Sequence, residues 1–136
     1  MSRAHIAVAL ALLAVACERG ADPEKARALA ARALRGSITY PQSSLVSISA
    51  GEDAAEVVLT TPAEVATVAE WYRRALSLNG WELRSDQADR AGTVTIYADK
   101  AGRPLWLTLR ANTGGPGTTY TMVGAIVEAD SIKQAR

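Results

Sequence analysis

From Leu45 to Ala50 and again from Ala54 to Thr60, apolar and polar residues alternate, and Gly51-Glu52-Asp53 stands between the two runs. That pattern predicts an antiparallel hairpin turning at the polar tripeptide. With Ala50 opposite Ala55, Ile48 faces Val57 and Val46 faces Leu59, so a single register gathers the apolar side chains on one side. The period then changes. Thr61-Pro62-Ala63-Glu64 reads as a capping box with proline in the first turn. Val65, Val68, Ala69, Tyr72, Ala75 and Leu76 follow at helical spacing. Asn79-Gly80 supplies a left-handed exit, and Trp81 falls where a Schellman motif packs a hydrophobic residue against Leu76. Trp71 lies off the apolar stripe and reads as a boundary residue.

Beyond Trp81 the period is twofold. Trp81, Leu83 and Ser85 alternate with charges, Val94, Ile96 and Ala98 with Thr93, Thr95 and Tyr97, and Leu105, Leu107 and Leu109 with Trp106, Thr108 and Arg110. A last strand over about Thr118–Glu128 turns Tyr120 and Met122 inward. Turns at 87–92, 100–103 and 112–117 make these four strands an antiparallel meander, with Ala98 opposite Leu105 and Leu109 opposite Tyr120. The expected fold is therefore α+β and two-layered: an antiparallel ββαββββ sheet packed on one main helix. The same register predicts the other side of the sheet. Glu82, Tyr97, Trp106 and Val123 form one cross-strand row, and Thr95, Thr108 and Thr121 the next. Threonine and aromatics suit strands in any case, but neighbouring Trp and Tyr are also enriched where surfaces meet. Three readings stay open for this row: cover by the first hairpin or the N-terminal helix, a partner or ligand surface, and simple exposure.

A short N-terminal helix precedes the domain. Asp22-Pro23 is an N-cap followed by proline at the first helical position, Gly36 is a terminator, and Ala26, Leu29, Ala30 and Ala33 share a face. It reads as a spacer or packing helix, and its cations also suit a place near a membrane surface. Upstream, Ile6–Ala16 is apolar without interruption, too short for a bilayer span of roughly 20 residues but the length of a signal-peptide core. The run closes on Cys17, the sole cysteine. Leu13-Ala14-Val15-Ala16-Cys17 resembles the lipobox of bacterial lipoproteins, with Ala14 in place of the larger aliphatic residue that family prefers. The resemblance implies removal of residues 1–16 and lipidation of Cys17, hence a bacterial envelope protein held in a membrane. Acylation also removes the liability of a lone thiol in an oxidising compartment. A plain secreted protein with a free Cys17 is the alternative. Glu18 stands where aspartate retains many lipoproteins at the inner membrane, which favours the outer membrane, facing the periplasm. The organisation read from the chain is signal peptide 1–16, lipidated N-terminus and short helical linker 17–36, α+β domain 37–130 and C-terminal tail 131–136.

Charge and side-chain inventory narrow the chemistry. The chain has 15 Lys and Arg against 14 Asp and Glu. Removing the signal deletes Arg3 and leaves the two signs equal, so no basic field points to nucleic acid. Arg73-Arg74 reads as a solvated helix face. The signal also contains His5, the only histidine. A mature domain without histidine or free thiol excludes the usual zinc sites, Cys–His and Ser–His nucleophiles and imidazole acid–base chemistry. No metal or other cofactor is expected. Glu52-Asp53 and the pair Asp86 and Asp89 are the remaining carboxylate candidates, and both read as turn chemistry. Gly114-Gly115-Pro116-Gly117 lacks the Gly-Lys-Ser/Thr of a phosphate loop.

Tyr40-Pro41, the helix segment Glu70-Trp71-Tyr72-Arg73-Arg74-Ala75-Leu76 and its exit Asn79-Gly80-Trp81-Glu82-Leu83 together resemble a pattern of small bacterial lipoproteins over about residues 38–127. More distantly, the chain is similar to the helix-grip domains of lipoprotein subunits in outer-membrane assembly machines. These likenesses imply an accessory binding role and carry over no site residue. The leading expectation is a lipid-anchored, non-enzymatic binding or accessory module. It has a possible envelope protein partner and a candidate face of Tyr97, Trp106, Val123, Thr95, Thr108 and Thr121. A carrier of a small apolar ligand, held beneath Tyr72, Leu76 and Met122, is the second expectation, and a carboxylate-based hydrolase the third.

Overall fold

A computed structural model describes residues 22–125. The apolar run 6–16, Cys17, Glu18, residues 126–128 of the expected last strand and the tail 131–136 lie outside the described residues. The elements are α1 (Pro23–Ala33), β1 (Ser44–Ala50), β2 (Ala54–Thr61), α2 (Val65–Leu78), β3 (Glu82–Ala88), β4 (Val94–Lys100), β5 (Arg103–Ala111) and β6 (Thr118–Ala125). All six strands form one antiparallel sheet in the order β1-β2-β6-β5-β4-β3. β3 to β6 make the expected meander. The β1–β2 hairpin joins it through β2 and β6 and so widens the sheet rather than covering it.

Both helices lie on one side of this sheet. α2 lies against β3, β4 and β5, and α1 against β1, β2 and β6. The apolar stripe of α2 (Val68, Ala69, Tyr72 and Leu76) is buried on Ile96, Ala98, Leu105, Leu107, Leu109, Tyr120 and Met122, all inward by strand alternation. α1 is a packing helix: Ala26, Ala30 and Ala33 are buried, the last two in a cluster with Ala55. Small side chains let it approach closely. Gly124 on β6 takes part, because a Cβ there would collide with the Ala33 carbonyl oxygen and the Leu34 side chain.

The helix ends converge on the β4–β5 turn. α2 closes in a Schellman motif, with Trp81 N–H donating to Leu76 O at 3.0 Å and Gly80 N–H to Ser77 O at 3.3 Å. Gly80 has φ +79°, the left-handed conformation that favours glycine. Lys100 Nζ donates to Asn79 O at 2.7 Å. Arg103 donates to Arg32 O at 2.6 Å and to Arg35 O at 3.1 Å. Both cations thus meet the partial negative charge of a helix C-terminus. Trp81 links the two ends, since its indole Nε1 donates to Gly36 O at 3.2 Å.

Three local expectations are corrected. Thr61 is no cap: it pairs with Thr118 as the last residue of β2, which keeps it extended, and α2 starts at Val65 behind Glu64 with no side-chain cap bond. The loop between is held instead by Thr118 Oγ1, which donates to Ala63 O at 2.8 Å. In β1 a bulge between Leu45 and Ser47 places Leu45, rather than Val46, opposite Leu59. In β3 a bulge between Leu83 and Ser85 pairs Glu82 with Asp99 and turns Ser85 to the outer side opposite Tyr97. One inserted residue reverses every side chain after it. The second bulge therefore brings Asp86 to the helix side, where it bonds Arg73 of α2 at 2.5 Å and 3.0 Å.

Candidate binding face

The outer side of the sheet is met by neither α1 nor α2, nor by the β1–β2 hairpin. Cover by the hairpin or the N-terminal helix, one of the open readings, is excluded by where these elements sit. Tyr97 pairs with Trp106 and Trp106 with Val123, so the aromatic row forms in the expected register. Ser85 takes the place expected for Glu82, and Glu56 of β2 extends the row past Val123. Thr95 pairs with Thr108 and Thr108 with Thr121, a ladder of three threonines across adjacent strands. All six candidate residues thus share one face.

At its centre the rings of Tyr97 and Trp106 stack, with centroids 5.1 Å apart and planes inclined by 21°. Trp106 is 41% exposed, whereas Tyr97 and Val123 are half-buried. Beside the pair, Arg84 bonds Asp99 at 2.8 Å and Glu82 at 3.0 Å. The hydrogen bond to Asp99, with the charges of both carboxylates, raises the Arg84 guanidinium above its ordinary pKa. The face therefore offers an apolar ring surface, hydroxyls and an ion triad of net charge −1.

The second expected site, beneath Tyr72, Leu76 and Met122, is filled. All three are buried. The Tyr72 ring meets that of Tyr120 edge-on at 5.7 Å, and its hydroxyl lies 3.9 Å from Met122 Sδ. The same hydroxyl donates to Ile38 O at 3.1 Å and accepts from Tyr40 N–H at 3.2 Å. Burial, then the neighbouring Tyr120, raises the Tyr72 pKa far above the ordinary phenol range. The Tyr120 hydroxyl meets Ser43 Oγ at 2.5 Å. Two buried tyrosines thereby pin the segment 37–43, which runs from α1 to β1 as a strap. Tyr40 closes it by packing edge-on against Trp71, centroids 5.2 Å apart. Sequence reading missed this role, although a tyrosine at the centre of an apolar stripe signals a buried hydroxyl that needs a partner.

The carboxylate candidates do not converge. Asp86 is paired with Arg73, and Asp89 Oδ1 accepts from the backbone N–H groups of Ala91 and Thr93, both at 2.9 Å. Arg74 pairs with Glu70 along α2.

Residues 41–116, which hold β1 to β5 and α2, match the START domain-like family. The chain belongs to it. A helix laid across an antiparallel sheet is the helix-grip-like arrangement of this START-like domain, in line with the more distant of the two resemblances. The span leaves out α1 and β6, and with them the Gly124 contact. No curated protein and no solved structure matches the chain.

Proposed function

We propose that this START-like domain is a lipid-anchored, non-enzymatic binding or accessory module of the bacterial cell envelope, and that it meets a protein partner through the outer side of its sheet. The observation that carries the reading is the exposed Trp106 stacked on Tyr97 at the centre of a face that neither helix covers. Such aromatics anchor interfaces when a partner desolvates them. The signal-length run ending at Cys17 supports the anchor, and Glu18 supports the outer membrane. The test is Trp106→Ala in the full chain. Folding is spared, while association weakens by the roughly 2 kcal/mol or more of a hot spot, read as lower recovery of the partner from detergent-solubilised envelope. A large loss of thermal stability with unchanged recovery refutes the binding face. Cys17→Ser tests the anchor separately: lipid label that still enters the variant removes Cys17 from that role.

A second reading, a carrier of a small apolar ligand between helix and sheet, is supported by the family match. Because the space under Tyr72 and Met122 is filled, this reading requires the strap 37–43 to move. Ligand uptake that leaves the Ile38 and Tyr40 contacts intact contradicts it.

A further inference from the structure

The two edges of the sheet are unlike. β3 carries Glu82, Arg84 and Asp86, each engaged in an ion pair. Charge on an edge strand is a device against pairing with other chains. β1, Ser-Leu-Val-Ser-Ile-Ser-Ala, carries neither charge nor proline. The hairpin-closing bond from Gly51 N–H to Ala54 O, at 2.8 Å, sets the phase of the ladder. By alternation, Ser47 and Ser49 exchange bonds with β2, and the N–H and C=O groups of Ile48 and Ala50 point to the open edge.

α1 makes a wall along that edge. Pro23, Ala26 and Arg27 face Leu45–Ala50 across a groove of 340 Å³. Leu45 and Val46 at its end are 53% and 58% exposed, the bulge having turned Val46 out of the ladder. Unpaired backbone beside an apolar groove with a helical wall is the arrangement that receives an added strand, backbone bonds giving affinity and alternate side chains entering the groove.

We propose that the α1–β1 groove binds an extended, alternately apolar peptide segment of a partner protein, with an acidic residue placed at Arg27. A second copy of the chain fits less well. Pairing β1 with β1 across a twofold axis buries a strip roughly 24 Å by 10 Å on each partner, about 500 Å² in total. A stable dimer needs about 1,200–2,000 Å². A peptide uses the same edge and the groove wall together, and Arg27, the one charged side chain lining the groove among the described residues, gives it a charge to match. This site depends on neither the Trp106 face nor Cys17.

The test uses the full chain in detergent and a short fluorescein-labelled peptide that alternates valine with threonine and carries one aspartate. Binding is read by anisotropy and by amide hydrogen exchange. Saturable binding is expected, with new protection at Ile48 and Ala50. Val46→Lys and Arg27→Glu change exposed side chains, and a thermal melt checks that both variants fold. Each weakens binding by roughly tenfold or more, Arg27→Glu prefers a peptide with lysine in place of aspartate, and Trp106→Ala binds as the parent does. A saturating peptide that leaves Ile48 and Ala50 unprotected overturns the proposal, as does binding that survives a central proline in the peptide. A concentration-dependent dimer abolished by Val46→Lys assigns the edge to a second copy. Vesicle binding abolished by the same change assigns it to a lipid surface. Either result overturns the peptide.

Discussion

Trp81 is where the two helix ends are joined, and its replacement separates packing from hydrogen bonding. The side chain is 5% exposed and belongs to the main core cluster. Trp81→Ala removes that packing and leaves a cavity, a loss of about 3–5 kcal/mol. For a domain of roughly 100 residues, each kcal/mol lowers Tm by about 4–8 °C, so the melt should fall by at least about 12 °C. Trp81→Phe keeps much of the ring contact and deletes the bond to Gly36 O, at a cost of about 1–2 kcal/mol. Gly80→Ala is the third arm. A Cβ there makes only an ordinary contact with Lys100, so its cost of about 1 kcal/mol comes from the positive φ alone. Thermal and urea unfolding followed by circular dichroism rank the three as Ala at 81, then Phe at 81 and Ala at 80 close together. Amide exchange adds the site: Trp81→Phe should release protection at Ala30 and Ala33 in α1 before it does so in α2. A Trp81→Ala domain melting within about 2 °C of the parent refutes the reasoning.

Other consequences are as direct. Gly124→Ala drives a methyl group into the Ala33 carbonyl, so α1 must lift from β6; a loss of about 1–3 kcal/mol is expected, and an unchanged melt with unchanged α1 protection refutes the close approach. Tyr72→Phe leaves Ile38 O and Tyr40 N–H without their partner, costing about 2 kcal/mol and exposing the strap to limited proteolysis, which is the readout. Asp86 has its pKa lowered, chiefly by the hydrogen bond from Arg73 and further by its charge. The stabilisation is therefore fully present above the unfolded carboxylate value of about 3.9 and is lost as pH falls through the lower folded value. Since the two side chains are 42% and 32% exposed, screening holds the effect to less than about 1 kcal/mol. The parent's advantage over Asp86→Asn in urea unfolding should be constant above about pH 5, shrink below about pH 4 and diminish with salt; an advantage that grows on acidification contradicts the pairing.

Short-range pattern by itself determined the element order, the α2 stripe, the Schellman exit at Gly80 and the facing of Tyr97, Trp106 and the three threonines. Each depends on a period of 2 or 3.6, or on one residue's allowed φ, and these are properties of neighbouring residues. The threonine ladder is legible for the same reason: three strands of known phase need only a register, and burial of Leu107 against Ile96 and Met122 sets it. What tertiary structure alone decided begins where the period is broken. A bulge has no reliable local signature, so strict alternation gives Val46 and Glu82 the wrong partners and places Asp86 in a turn. The capping box at Thr61 was a valid local signal overruled by the ladder with Thr118. That the β1–β2 hairpin joins β6 through β2, rather than folding over the outer side, follows from which strand edges remain unpaired once the meander has formed. The strap on Tyr72 and Tyr120, the seat of α1 on Gly124 and the groove beside β1 all join residues tens of positions apart. Their energies arise only when the sheet has brought those residues within a few ångströms, a condition absent from any local window of sequence.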